Sequence, residues 1–257
     1  AANGFELQRR PLAADIDFLD HEAIVDRYYD ACAELVRAAS GAGRVHVFDH
    51  NVRSASGKTA QQRVAGGQEV QSPLHFVHGD YTLRSAPERL GQLAQAPGSN
   101  DTFAPRLAAN ETLVDPELAR AAIAGEIRFA IINVWRNIAE APVATHPLAL
   151  CDGRRVDPAD LVVFEIHYAD RIGENYFAKH NPGHRWFTYP GLTRDEPLLI
   201  KQWDSAGALA RTGGEQSDAG GDGPTTFSFH SAFEDPATPP DAPDRWSIEV
   251  RCMALYD

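Results

Sequence analysis

The chain has few cysteines, no excess of positive charge and no long apolar run. Its three cysteines, Cys32, Cys151 and Cys252, are widely spaced and form no CxxC motif, so neither a disulfide framework nor a thiolate zinc site is indicated. The net charge of −12 argues against nucleic acid or an anionic membrane surface as the main partner. No run approaches the length that crosses a bilayer, and the first ten residues lack the apolar stretch of a signal peptide. We therefore expect a cytoplasmic protein that binds neither nucleic acid nor a membrane.

The rest of the composition is that of an ordinary globular protein. The chain has 257 residues, of which 43% are hydrophobic, and its 20 glycines and 17 prolines are spread along its length. These values favour one β-rich domain over residues 1–257, with a helix and a strand as an N-terminal extension. Helical spacing between Asp20, as N-cap, and Gly41, as C-terminal stop, predicts the helix, and residues 44–52 predict the strand.

Short β-branched and aromatic runs dominate the chain from residue 126 onward. This spacing predicts a sandwich or barrel rather than alternating strands and helices. Helices are predicted at 85–96 and 115–125, and the polar segments 54–72 and 211–224 are predicted to be mobile loops that could act as lids. The runs are EIRFAIINVW, DLVVFEIHYA, NYFAKH, RWFTY, PLLIKQW, TTFSFHSAF and RWSIEVRCMALY.

The segment HFVHGDYT places a histidine and a carboxylate two residues apart, at His78 and Asp80. On a strand these two side chains share one face. A lone pair of this kind is weak evidence, because a strand histidine that is hydrogen-bonded to a neighbour is a common structural feature. His230, in the strand-like run FSFHSAF, could add a second imidazole. Two imidazoles and one carboxylate on one side of an octahedral iron leave three coordination positions open.

The segment RWSIEVR supplies a possible cosubstrate site. A keto acid can occupy two of the open iron positions through its 1-carboxylate and 2-oxo group, which leaves the third for O₂. The distal carboxylate of 2-oxoglutarate then needs a fixed cation, which Arg245 and the neighbouring hydroxyl of Ser247 could provide. The chain order of these motifs matches a jelly roll whose late strands carry the third iron ligand and the cosubstrate clamp.

The sequence also resembles a known family. The segments INVWRNI, PLALCDGRRVDPADLV, GENYFAKHNPGHRWFTYPGLTRDEPLLIKQWDS, FHSAFEDP and RWSIEVR are similar to those of the iron- and 2-oxoglutarate-dependent hydroxylases and desaturases of secondary metabolism. The resemblance implies a mainly β fold, a double-stranded β-helix of the jelly-roll or cupin type with flanking α-helices. It also implies oxidation of an unactivated C–H bond of a small molecule, with Fe(II), 2-oxoglutarate and O₂, in natural-product biosynthesis. The residues carried over are the catalytic iron ligands His78, Asp80 and His230, and the groups that bind the distal carboxylate, Arg245 and Ser247.

Two positions keep alternatives open. The insertion EDPATPPDAPD lengthens the spacing before Arg245, so Arg251 is an alternative clamp. Asn133 shares a strand face with Trp135, and it could bind the 1-carboxylate of the cosubstrate or only pack in the core. Arg136 falls on the other face and is expected in a surface ion pair.

The nature of the product is narrowed by Asp80. Related halogenases are understood to replace the carboxylate ligand by a small residue, which makes room for halide. The presence of Asp80 therefore favours hydroxylation, desaturation or ring formation.

Two rival hypotheses remain at this level. One is a cupin-type metal dioxygenase or isomerase that uses no keto acid, for which Arg245 would be dispensable. The other is a non-enzymatic β-sandwich binding protein in which His78 and Asp80 form only a structural pair. A homodimer is a further expectation.

Overall fold

Two antiparallel β-sheets form the framework of the protein. The computed structural model describes residues 2–12, 16–98, 101–108, 110–167, 172–220 and 223–257. Over these residues the strands are β1 (Phe5–Leu7), β2 (Arg44–Arg53), β3 (His78–Gly79), β4 (Arg128–Asn137), β5 (Leu148–Cys151), β6 (Leu161–His167), β7 (Ile172–Ala178), β8 (Trp186–Thr188), β9 (Leu198–Asp204), β10 (His230–Ala232) and β11 (Ser247–Tyr256).

The order of the strands joins distant parts of the chain. The first sheet runs β1-β9-β4-β11-β2, and the second runs β6-β7-β3-β10-β5-β8. Every strand pair is antiparallel, and most neighbours in a sheet are not neighbours in sequence. The predicted mainly β class is confirmed, as is the change to short strands from residue 126 onward.

Helices are few, and they flank the sheets. They are α1 (His21–Ala23), α2 (Tyr29–Ser40), α3 (Ala55–Thr59), α4 (Ser85–Leu93), α5 (Pro116–Ile123) and α6 (Ala208–Arg211), with a π-helical turn at Ile24–Tyr28 and 3-10 turns at Ala104–Arg106, Gly153–Arg155 and Pro158–Asp160. The predicted ends of the first helical segment are confirmed. The Asp20 side chain accepts a hydrogen bond from the Glu22 amide, and Gly41 ends α2 with a left-handed φ of 73°, which glycine adopts without steric cost.

Helix α2 explains why the central strands of the first sheet are buried on both faces. The α2 residues Cys32, Leu35 and Val36 pack in one core cluster with Val250 and Cys252 of β11. Because successive side chains on a strand point to opposite faces, the other face of β11 is directed away from α2. That face carries polar residues and looks into the interior between the sheets.

Two predicted loops are more ordered than their composition indicates. Segment 54–72 contains α3, and its Val64 and Val70 are buried, so the prediction of a plain loop is wrong here. Segment 211–224 is tethered where it is described, because the buried carboxylate of Asp218 accepts hydrogen bonds from the backbone amides of Leu209 and Thr226. The polar composition of both segments led to the prediction of mobile loops and gave no indication of these contacts.

Strand β6 forms one edge of the second sheet. Its Val162, Val163 and Phe164 are 40%, 52% and 46% exposed, an unusual density of apolar surface for an edge strand. The expected homodimer stays a prediction. Across the part of the chain that the structure describes, no helix has both the length and the apolar character needed to cross a membrane.

Gly153 lies where the backbone leading to β10 passes very close to the end of β5. A Cβ at Gly153 would lie 2.2 Å from the carbonyl oxygen of Phe227, and backbone cannot move as a side-chain tip can. We expect Gly153→Ala to lower the free energy of unfolding by about 1–3 kcal/mol, measured by chemical denaturation. The control is Gly91→Ala in α4, where the new Cβ meets only Ile123 at 3.6 Å and helix propensity favours alanine. Equal stability of the two variants would contradict the close approach.

Candidate metal centre

Two histidines face each other across the second sheet. His78 of β3 and His230 of β10 are direct partners in the antiparallel register. Their ring centroids lie 4.2 Å apart, and both residues are buried, with exposed fractions of 6% and 4%. Residues 152 positions apart in sequence are thus fixed as neighbours by backbone pairing.

Asp80 completes a cluster with these histidines directly after β3. One ligand atom of each of His78, Asp80 and His230 lies within 4.8 Å of the other two. The His78 Nε2 atom is 3.5 Å from the Asp80 Oδ1 atom. The structure therefore brings together all three residues that the sequence predicted as iron ligands, although β3 itself spans only His78–Gly79.

The protonation state of the histidines suits metal binding. The His78 Nδ1 atom donates a hydrogen bond to the Phe76 carbonyl at 2.7 Å, which leaves the lone pair of Nε2 free. Burial, followed by the neighbouring His230, lowers the pKa of His78 to about 4. Burial also lowers the pKa of His230, although Asp80 acts in the opposite direction. Both rings are therefore neutral at pH 7, the form in which imidazole coordinates metals.

The Asp80 carboxylate is held through one of its two oxygens. Its Oδ2 atom accepts hydrogen bonds from Asn133 Nδ2 at 2.9 Å and from Arg251 Nε at 3.3 Å. The Asp80 amide donates to Gln202 Oε1 at 3.0 Å, which fixes the backbone as well. Burial alone would raise the pKa of Asp80, but the charge of Arg251 and other polar neighbours lower it below its usual range. The carboxylate thus stays ionised and presents Oδ1 towards His78.

Arg251 connects this carboxylate to two others. Its guanidinium lies 2.9 Å from Asp49 Oδ2 and 3.2 Å from Glu249 Oε1, besides its contact with Asp80. Glu249 Oε2 is in turn 4.0 Å from His230 Nε2. Burial and then the charge of Asp80 raise the pKa of Glu249. Sequence reasoning missed Asp49 and Glu249. For Glu249 there was a usable signal, because Glu249 and Arg251 are two charged residues on one face of the otherwise apolar strand β11.

Ser247 is the first residue of β11 and Arg245 lies two residues before it, and both side chains have unsatisfied donors. Arg245 is 2% exposed, its guanidinium lies 5.6 Å from the Trp135 ring, and it donates to the His146 carbonyl. Its Nε atom and the Ser247 Oγ atom are buried without a hydrogen-bond partner. Because leaving buried donors unpaired is costly, these atoms indicate an acceptor that the protein itself does not supply.

The remaining residues of the INVWR segment divide between the site and the core. Asn133 contacts Asp80, while Trp135 packs beneath Arg245 and in a core cluster with Leu198. The expectation of a surface ion pair for Arg136 is wrong. Arg136 is 3% exposed and its Nε atom donates to the Tyr28 hydroxyl, because α2 and its preceding turn cover this face of the sheet.

A cavity of about 1280 Å³ opens beside the cluster. His78, Asp80 and Arg251 form its inner wall. Its outer wall comes from elements outside the sheets and from strands β6 and β7. The residues of this wall include Val25, Gly67, Gln71, Ser85, Arg89, Thr102 and Asn175. The volume is sufficient for a small organic molecule.

Comparison with known proteins gives one family and several relatives. The family model described as "Oxidoreductase/YMDC permease-like domain" matches residues 1–255. A Methylophilus leisingeri protein titled "Uncharacterized protein in dcmA 3'region" is 39% identical over 138 residues, which cover 53% of this chain and 64% of that protein. The hydroxylase/desaturase poxK of Penicillium oxalicum is 27% identical over 96% of this chain and 70% of its own length. The Fe(II)/2-oxoglutarate-dependent dioxygenase nvfI of Aspergillus novofumigatus is 29% identical over 92% of this chain and 69% of its own length.

A solved structure shares the fold. The iron and alpha-ketoglutarate-dependent endoperoxidase NvfI superimposes with a TM-score of 0.73 at 24% identity, over 99% of this chain and 79% of that one. The predicted fold class is confirmed by this likeness, and the predicted family resemblance is confirmed by the names of the relatives. The chain spans 64% to 70% of the length of the three curated relatives described above.

Removing Arg251 should leave three carboxylates without their shared cation. We expect Arg251→Met to lower the free energy of unfolding by about 3–5 kcal/mol, because an uncompensated buried charge is far more costly than a lost surface pair. The measurement is urea denaturation followed by circular dichroism. The control is Arg120→Met, which breaks an exposed pair with Glu117 and should change the free energy of unfolding far less. A similar small cost for both variants would show that Arg251 does not hold the carboxylates together.

Proposed function

This chain belongs to the oxidoreductase/YMDC permease-like domain family. We propose that it is an Fe(II)/2-oxoglutarate-dependent oxygenase, as its relative nvfI is named. Its reaction would be the oxidation of a C–H bond of a small molecule. The observation that carries the proposal is the grouping of His78, Asp80 and His230 beside buried donors of Arg245 and Ser247 that have no partner.

Iron fits the ligand set of this site. Two neutral imidazoles and one carboxylate on one side of a metal ion form the facial triad of non-haem iron(II) oxygenases. Asp80 would bind through Oδ1, since Asn133 and Arg251 hold Oδ2. Iron with 2-oxoglutarate and O₂ would supply the oxidising power, while the protein orients the reactants and excludes water.

Arg245 and Ser247 are better placed than Arg251 to bind the distal carboxylate of 2-oxoglutarate. The guanidinium of Arg251 already faces Asp49, Asp80 and Glu249. The Nε atom of Arg245 and the hydroxyl of Ser247 lack acceptors, and one carboxylate could satisfy both.

Asn133 would act mainly by orienting Asp80, to which it donates its amide. Its predicted contact with the cosubstrate stays a prediction. The presence of Asp80 supports hydroxylation, desaturation or ring formation.

The two rival hypotheses are less well supported. A keto-acid-independent dioxygenase gives no reason for unpartnered donors on Arg245 and Ser247. A non-enzymatic binding protein gives no reason for three converging metal-ligand types at the wall of a large cavity. The small-molecule substrate, a role in natural-product biosynthesis and the cytoplasmic location stay predictions.

An anaerobic titration tests the proposal directly. Addition of Fe(II) and then 2-oxoglutarate to the metal-free protein should produce the weak visible charge-transfer band of a chelated keto acid. Asp80→Ala and His230→Ala should lose this band, because each removes one of three ligands, and metal affinity should fall more than the roughly 10–100-fold seen for outer contacts. Activity is then measured as the rate at which succinate is formed from 2-oxoglutarate.

The control is His180→Ala, which changes an exposed histidine outside the cluster and should keep the band. Circular dichroism of each variant checks that the fold is retained. Iron binding without a band would favour the keto-acid-independent dioxygenase, and absence of iron binding would refute the oxygenase.

A further inference from the structure

Arg53 lies beside the residues assigned to the cosubstrate. It is the last residue of β2 and the direct cross-strand partner of Ser247 in β11. Directly paired residues on antiparallel strands point to the same face, with Cβ atoms about 4.5–5.5 Å apart. Arg53 also lines the large cavity, so it belongs both to the cavity wall and to the strand face that carries Ser247.

The charge of Arg53 has no carboxylate partner at hydrogen-bond distance. Its Nη1 atom donates to the Ser72 carbonyl at 2.9 Å, and no carboxylate of the described residues forms an ion pair with it within 4.0 Å. Arg53 is only partly exposed, and burial is the main influence that lowers its pKa. A partly buried guanidinium without a close anion is an incomplete arrangement.

The guanidinium of Arg245 lies nearby, and within the part of the chain that the structure describes it too has no carboxylate at hydrogen-bond distance. Arg245 is buried and its Nε atom has no partner; among the described residues, its guanidinium donates a hydrogen bond to the His146 carbonyl alone. Burial and then the charge of Arg53 lower the pKa of Arg245 to about 10, so the two cations are close enough to repel each other. An anion bound between them would relieve this repulsion.

The number of positively charged side chains around the site equals the number of negatively charged ones, so a metal ion and a dianion could bind together without adding net charge. Three guanidiniums, on Arg53, Arg245 and Arg251, face three carboxylates, on Asp49, Asp80 and Glu249. A divalent metal ion and a dianionic keto acid would add charges that cancel. These three carboxylates cluster around Arg251. Asp244 and Glu249 also act on the charge of Arg245, and Glu249 acts on that of Arg53, but among the described residues no carboxylate forms an ion pair within 4.0 Å with either arginine.

We propose that Arg53 is a second guanidinium of the cosubstrate site, which binds the distal carboxylate of 2-oxoglutarate from the cavity side opposite Arg245 and Ser247. This inference rests on the proposed function. In this arrangement Arg53 would favour keto acids that have a second carboxylate. Its side chain would also separate the cosubstrate from the substrate cavity.

Equilibrium binding to the Mn(II)-loaded protein tests the inference without turnover. Isothermal titration calorimetry compares 2-oxoglutarate with oxalate, a dianion that can chelate the same metal but has no distal carboxylate. We expect Arg53→Gln to weaken 2-oxoglutarate binding at least about tenfold, the usual scale for a charge-assisted hydrogen bond, and to change oxalate binding by less than about threefold. Arg53→Lys, which keeps the charge but not the planar fork, should give an intermediate loss.

The matched control is Arg44→Gln at the opposite end of β2, an exposed arginine paired with Asp257, which should bind both ligands as the wild type does. Unchanged 2-oxoglutarate affinity in Arg53→Gln, or equal losses for both ligands, would overturn the inference. If Arg53→Gln does not fold, the ratio of the two affinities in Arg53→Lys decides. Failure of the wild type to bind 2-oxoglutarate at all would refute the proposed function, and the inference with it.

Discussion

The site depends on one guanidinium, that of Arg251, which three carboxylates contact inside the protein. Arg251 contacts Asp49, Asp80 and Glu249, and its charge is the strongest influence that lowers the pKa of Asp80 against the effect of burial. Burying a charge is tolerated only where a partner and hydrogen bonds compensate for lost hydration. Without Arg251, the Asp80 carboxylate would gain a proton more readily and would be a poorer metal ligand.

Strand geometry makes this arrangement rigid. His78 and His230 are backbone partners, and Asn133 and Arg251 are backbone partners across β4 and β11. The second sheet thus fixes the two histidines of the cluster, and the first sheet fixes Asn133 and Arg251. The hydrogen bonds of Asn133 and Arg251 to Asp80 connect the two sheets at this point. Sites built on strands hold their side chains more firmly than sites built on loops. Helix α2 adds to this rigidity because it covers the outer face of the first sheet.

Only part of this site could be predicted from the sequence. The residues His78, Asp80 and His230 could be found because metal ligands are restricted to a few residue types at short or strand-compatible spacings. Arg245 and Ser247 were singled out because the proposed keto-acid cosubstrate would need a cation and a hydroxyl, and the structure shows both with buried donors that lack partners. The contact of Asp49 with Arg251 could not, since the two lie 202 positions apart and only the register of β2 on β11 joins them. The prediction of a surface ion pair for Arg136 was wrong for a similar reason. Periodicity indicates which face of a strand a side chain lies on, but not which element covers that face.

The inner and outer walls of the cavity have different physical origins. The inner wall belongs to the paired strands and the segment that follows β3, where a substitution disturbs a network of buried charges. Much of the outer wall belongs to short helices and turns outside the sheets, where Gly67 contributes surface without taking part in that network. Substitutions in such connecting elements alter few buried contacts. The shape of the cavity can therefore change while the cluster of His78, Asp80 and His230 stays fixed, so under the proposed function the outer wall would set substrate selectivity and the sheets would hold the oxidative site.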